Sequence, residues 1–150
     1  MIHELKEDTK VPDGLCTFDD GLYSQYQYGK ELPNDKIFFI CPSFINKGIN
    51  DINQKCMSIK HIKELMNMGI EIGAHSYYHT KLEVLPDLKH QVYHIQRDTK
   101  LMMEWFKNEL DYIPTKFCFP YNNDLDGIYQ ATISQYNFEF FGSNRVDIPA

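Results

Sequence analysis

No stretch of this 150-residue chain approaches the ~18 consecutive apolar residues of a membrane-spanning helix, so no membrane span is expected. Basic residues are scarce too: 15 Lys and Arg stand against 21 Asp and Glu, for a formal charge of −6, and the cations nowhere run together. Phosphate-backbone and membrane-surface binding both need a clustered basic face, which argues against nucleic acid as a partner. The opening MIHELKEDTKVPDG puts acids and lysines where a secretion signal needs an apolar centre, so the expected location is cytoplasmic. The four cysteines, Cys16, Cys41, Cys56 and Cys118, form no Cys-x-x-Cys pair and lie mostly inside apolar segments. That pattern argues against a disulfide framework and for thiols that act as small hydrophobes. Repeats, low-complexity tracts and compositional breaks are missing as well. Residues 1–150 are therefore expected to form one domain, with 1–12 as a loosely held arm.

What is present is enough for one core, since 43% of the residues are hydrophobic. GLCTFDD, KIFFICPSF, GIEIGAH, TKFCFPY and NFEFFG are short apolar or alternating runs bounded by Gly, Pro, Asn or Asp, which predicts strands. SIKHIKELMNMG places Ser58 as an N-cap, puts Ile59, Ile62, Leu65 and Met66 on one helical face, and stops at Gly69. A long helix is predicted from Pro86 through Leu110, and a weaker one in DLDGIYQATISQY. Strands alternating with helices imply parallel pairing through right-handed crossovers, with functional residues at the carboxyl ends of the strands.

Those ends carry Asp19 and Asp20, then Pro42 and Ser43, then His75 with His79, then Pro120 and Tyr121. One anionic oxygen and two imidazole nitrogens make the inner shell of a catalytic metal site with open positions for water. The spacing of HSYYH lets one turn aim both rings at a point, and Gly73 and Ala74 bring them directly off a buried strand. His3 lies in the arm, while His61, His90 and His94 fall on predicted helices, where solvated or capping roles are expected. Asp-Asp-Gly alone is an ordinary turn. Beside a metal, however, one carboxylate can ligate while the other takes a proton.

TFDDG followed by HSYYH resembles the polysaccharide deacetylase family, the NodB-homology domain of carbohydrate esterase family 4. The resemblance runs from about Leu15 through Phe141 and implies an α/β fold, a distorted, shortened (β/α) barrel. It implies a metal-dependent hydrolase that removes N- or O-linked acetyl groups from a glycan or sugar precursor. Asp19 matches the family's catalytic base, Asp20 its metal ligand, and His75 and His79 its two metal-binding histidines. KFCFPYN resembles the third motif, where Pro120 and Tyr121 line the groove and the backbone N–H of Tyr121 helps hold the oxyanion. The implied cofactor is a divalent metal, Zn2+ first, with Co2+ or Ni2+ as substitutes. Tyr77 and Tyr78 offer ring faces to a carbohydrate substrate.

Three departures stand out. The arginine that many members carry in the third motif is Cys118, the glycine after its tyrosine is Asn122, and no histidine follows His94. Members use a histidine near the C-terminus as general acid, so its loss tilts the expectation towards O-acetyl substrates. Otherwise Asp19 returns the proton itself, the acid lies beyond Ala150, or a neighbouring subunit of a homo-oligomer donates it. The rival reading is a vestigial, non-catalytic carbohydrate-binding domain that keeps the metal site.

Overall fold

The computed structural model describes residues 4–142. All five expected strands form: β1 (Cys16–Asp20), β2 (Lys36–Ile40), β3 (Glu71–Ala74), β4 (Lys116–Cys118) and β5 (Glu139–Phe141). They pair in parallel in the order β1-β2-β3-β4-β5 and curl into a half-barrel. The helices are α1 (Pro42–Lys47), α2 (Ile59–Asn67), α3 (Leu88–Leu110) and α4 (Ile128–Thr132).

Strand alternation sorts the side chains onto two faces. Phe18, Phe38, Ile40, Ile72 and Phe117 belong to one large cluster with Ile62 and Leu65 of α2 and Ile95, Met102 and Phe106 of α3. The other face has a much smaller apolar cluster of Ile37, Phe39 and Cys118, with Phe141 packed on it. Asp19 pairs with Phe39 in register, and Phe39 pairs with Gly73. A Cβ at Gly73 would lie 2.6 Å from the Phe39 ring, so the missing side chain is what lets that ring pack against the Gly73 backbone. At the amino ends of the strands the same face carries an ion cluster: Lys116 Nζ lies 2.7 Å from Glu71 and 3.8 Å from Glu139.

The helix signals hold with small shifts. Ser58 caps α2 in a reciprocal box with His61, and Asp87 caps α3 by accepting from the N–H of His90. His61 and His90 thus serve the caps. The weak third helix is shorter than expected, since α4 covers only Ile128–Thr132 and a 3-10 turn, Ser134–Tyr136, follows. The sequence reading did not anticipate α1: it extended the second strand through Pro42 and Ser43, whereas Pro42 opens a helix. Its missing N–H costs nothing in a helix's first turn, and Gly48 at φ 78° ends the helix. Within the stretch expected to be a loose arm, Leu5 is buried in the core and its N–H donates to Ser24 Oγ at 2.9 Å. All four cysteines are buried, and none is joined in a disulfide. Among the described residues no helix is long and apolar enough to cross a membrane.

Candidate metal centre

Asp19 and Asp20 end β1, His75 follows β3, and Tyr121 lies in the 3-10 turn Pro120–Asn122 after β4. The backbone is unusual at these ends: Asp20, Ser76, His79, Tyr121 and Asn122 all have φ between 53° and 81°. Non-glycine residues in that region carry a local cost of about 1–3 kcal/mol each and persist only where their surroundings impose them. Here the braces are visible. Gln25 donates to the Asp19 carbonyl at 2.7 Å and accepts from the N–H of Leu22 at 3.0 Å, clamping the turn after the two aspartates. The His79 N–H donates to Ser76 Oγ at 2.9 Å. Asp98, buried on α3, accepts the N–H groups of Tyr77 and Tyr78 at 2.8 and 3.0 Å and so fixes the loop between the two histidines. Burial raises the Asp98 pKa, against the pull of those two N–H groups.

Three ligand atoms converge. His75 Nε2 and His79 Nε2 lie 3.4 and 3.5 Å from the same oxygen, Asp20 Oδ1. Each ring is held from its other nitrogen: His75 Nδ1 lies 2.8 Å from the Cys118 carbonyl, and His79 Nδ1 lies 3.1 Å from Asp51 Oδ2. Both partners are acceptors, so each Nδ1 carries the proton and each Nε2 faces Asp20. In the neutral ring that sets two lone pairs against a carboxylate. His75 Nε2 is fully buried and makes no hydrogen bond despite its closeness to Asp20. An orphaned buried nitrogen beside an anion, with a second imidazole aimed at the same oxygen, fits a divalent cation held between them.

The electrostatics agree. Burial alone would raise the Asp20 pKa, but the two imidazoles outweigh it and hold the carboxylate below its ordinary value. Burial would likewise keep His75 neutral, yet Asp19 and the other groups around the ring push its pKa well above the usual histidine value. His79 moves the opposite way, lowered first by burial and then by His75. A cation here therefore competes with a proton on His75.

Asp19 is fully buried, with Cys118 Sγ 3.5 Å and His75 Nε2 3.9 Å from its Oδ2. It is therefore set beside the three converging atoms and on the small inner face of the sheet. Asp19, His75 and Cys118 form a second group of close ligand atoms, all within 4.8 Å of one another, so the thiol stands among the site's polar groups.

Around His79 the walls are Phe44 and Tyr121, with ring centroids 5.3 and 4.6 Å away. Tyr121 is 43% exposed and Pro120 is buried behind it. The other expected groove residues are placed differently. Tyr77 packs edge-on against Tyr78, and its hydroxyl accepts from Asn46 at 3.3 Å, while the Tyr78 ring faces His94 on α3. Three contributors escaped the sequence reading: Asp51, Asp98 and Asn50, whose Nδ2 donates to Asp20 Oδ2 at 3.4 Å. Asp98 left a signal, a carboxylate at the helical spacing of Ile95 and Met102 on a buried stripe. Asn50 and Asp51 left none, since they stand in a polar loop.

Solved structures with the same arrangement of strands and helices exist. IcaB from Ammonifex degensii superposes with a TM-score of 0.70 at 23% identity, over 83% of this chain and 56% of that one. The chain has the polysaccharide deacetylase fold. The Streptococcus pyogenes deacetylase PplD matches with a TM-score of 0.66 at 16% identity, over 81% of this chain and 51% of its own. A family 4 carbohydrate esterase from Streptomyces lividans matches at 0.61 and 16% identity, over 85% and 60%. The chain thus spans only about half to three-fifths of the length of these deacetylase-fold structures. No protein-family model matches the sequence, and no curated protein does.

Proposed function

We propose that this chain is a metal-dependent hydrolase that removes acetyl groups, N- or O-linked, from a glycan or sugar precursor. Residues 1–150 act as one deacetylase-like domain in this reading. The observation that carries it is the convergence of His75 Nε2, His79 Nε2 and Asp20 Oδ1 beside the buried carboxylate of Asp19. Asp20, His75 and His79 hold the ion, Zn2+ or a similar divalent metal. When bound, it supplies Lewis acidity, which acidifies water and polarises an acyl carbonyl.

The chain's own groups do the rest. Asp19 accepts the proton of the attacking water, and its place beside His75 keeps that proton within reach of the reacting centre. The N–H of Tyr121, in a turn whose left-handed conformation sets it apart from the strand before it, donates to the developing oxyanion. Its phenol stays protonated, because burial and the Asp51 carboxylate push its pKa to about 12. The exposed Tyr121 ring forms the groove wall over His79. Once protonated, Asp19 can return that proton to the leaving group.

Acetate release from acetylated amino sugars and acetylated sugar esters tests this, with the metal-loaded wild type against Asp19→Asn. A fall of about 10²–10⁴-fold is expected for the variant. Equal release by the two proteins on every substrate rules the reading out.

A further inference from the structure

Asp51 touches two parts of the site at once. Its Oδ2 accepts from His79 Nδ1 at 3.1 Å and from the Tyr121 hydroxyl at 3.0 Å, joining the loop after β3 to the turn after β4. The residue before it addresses another of the ligands, since Asn50 Nδ2 reaches Asp20 Oδ2. Consecutive residues thus serve two different members of the converging triad.

The segment that carries them is braced. Ile49 and Lys55 form an antiparallel bridge, and the Asn50 N–H donates to the Gln54 carbonyl at 3.0 Å. Asn50 Oδ1 in turn accepts the N–H groups of Ile52 and Gln54 at 3.0 and 2.9 Å. Asn50 is buried, whereas the Asp51 side chain is 39% exposed at the rim. Asp51 is therefore delivered to His79 by a turn with a fixed shape rather than by a free loop.

Resting on the metal-site reading above, we propose that Asp51 is a positioning residue that holds His79 as the Nδ1–H tautomer, with Nε2 presented to the ion, and draws the Tyr121 ring over it. A carboxylate behind a ligating imidazole fixes the ring's orientation and makes the opposite nitrogen a stronger donor. The same oxygen anchors the groove wall, so the metal ligand and the substrate wall keep a constant relation.

The test uses the full chain stripped of metal, titrated with Co2+ and Zn2+, together with 15N NMR of the His79 ring. Wild type, Asp51→Ala and Asp51→Asn are compared, with thermal melts of the apo proteins to establish folding. Asp51→Ala is expected to weaken metal affinity about 10- to 100-fold and to lose the single-tautomer signature of His79. Asp51→Asn regains part of both, because its amide oxygen still accepts from Nδ1–H. Folded Asp51→Ala that binds as tightly as wild type and keeps the same tautomer overturns the inference and leaves the metal site standing. Wild type that binds neither ion overturns the metal site itself and the inference with it.

Discussion

On the helix side of the half-barrel, Phe18, Phe38, Ile40, Ile72 and Phe117 have no exposed surface and belong to one large apolar cluster. On the other side the alternate residues of the same strands include Asp19, Gly73, Lys116 and Cys118, with an apolar patch of three buried residues. Two-residue periodicity thus divides labour within each strand. One face supplies burial, at roughly 1.5–3 kcal/mol for each large side chain removed from water. The other holds a buried carboxylate next to a histidine, an arrangement that does not by itself stabilise a fold. The helix-side cluster holds the strand ends in place, and the strand ends hold groups that would otherwise separate.

Phe38→Ala should have the largest effect. It removes a fully buried ring from the helix-side cluster and should cost about 3–5 kcal/mol in denaturant unfolding. Metal affinity of the molecules that remain folded should be unchanged, because Phe38 faces away from Asp19. Gly73→Ala acts on the other face and should have a smaller effect on stability, about 1–3 kcal/mol, as its Cβ meets the Phe39 ring at 2.6 Å. Here acetate release should fall as well, because Phe39 pairs with Asp19 in register. Urea melts and turnover measured on the same preparations separate the two patterns. Equal losses of turnover per folded molecule in both variants would erase the distinction between the faces.

Much of this was legible in the sequence. The five strands are bounded by residues that stop strands, and Ser58 and Gly69 mark the ends of α2 by local chemistry alone. Asp20, His75 and His79 were readable because strand ends gather at one edge of a parallel sheet, and the structure brings these three together. Other features depend on contacts between distant segments. Asp98 reaches the histidine loop from α3, and Asp51 meets Tyr121 from a different connection, with nothing in either local pattern to name the partner. Pro42 misled for a local reason: a proline ending an apolar run reads equally as a strand boundary and as a helix's first residue. The setting of Tyr77 and Tyr78 was likewise not legible: the Tyr77 hydroxyl meets Asn46 of α1, and the half-exposed Tyr78 ring lies near His94 of α3.

Whether Asp20, His75 and His79 form one divalent-metal site is decided by calorimetric titration of apo wild type and His75→Ala with Zn2+. Because His75 carries a raised pKa in the absence of an ion, metal uptake must displace its proton. One equivalent should bind to wild type with proton release, its affinity should weaken as pH falls, and His75→Ala should lose it. Wild type that binds no zinc, or His75→Ala that binds it as tightly as wild type, would show that these three residues do not form one metal site.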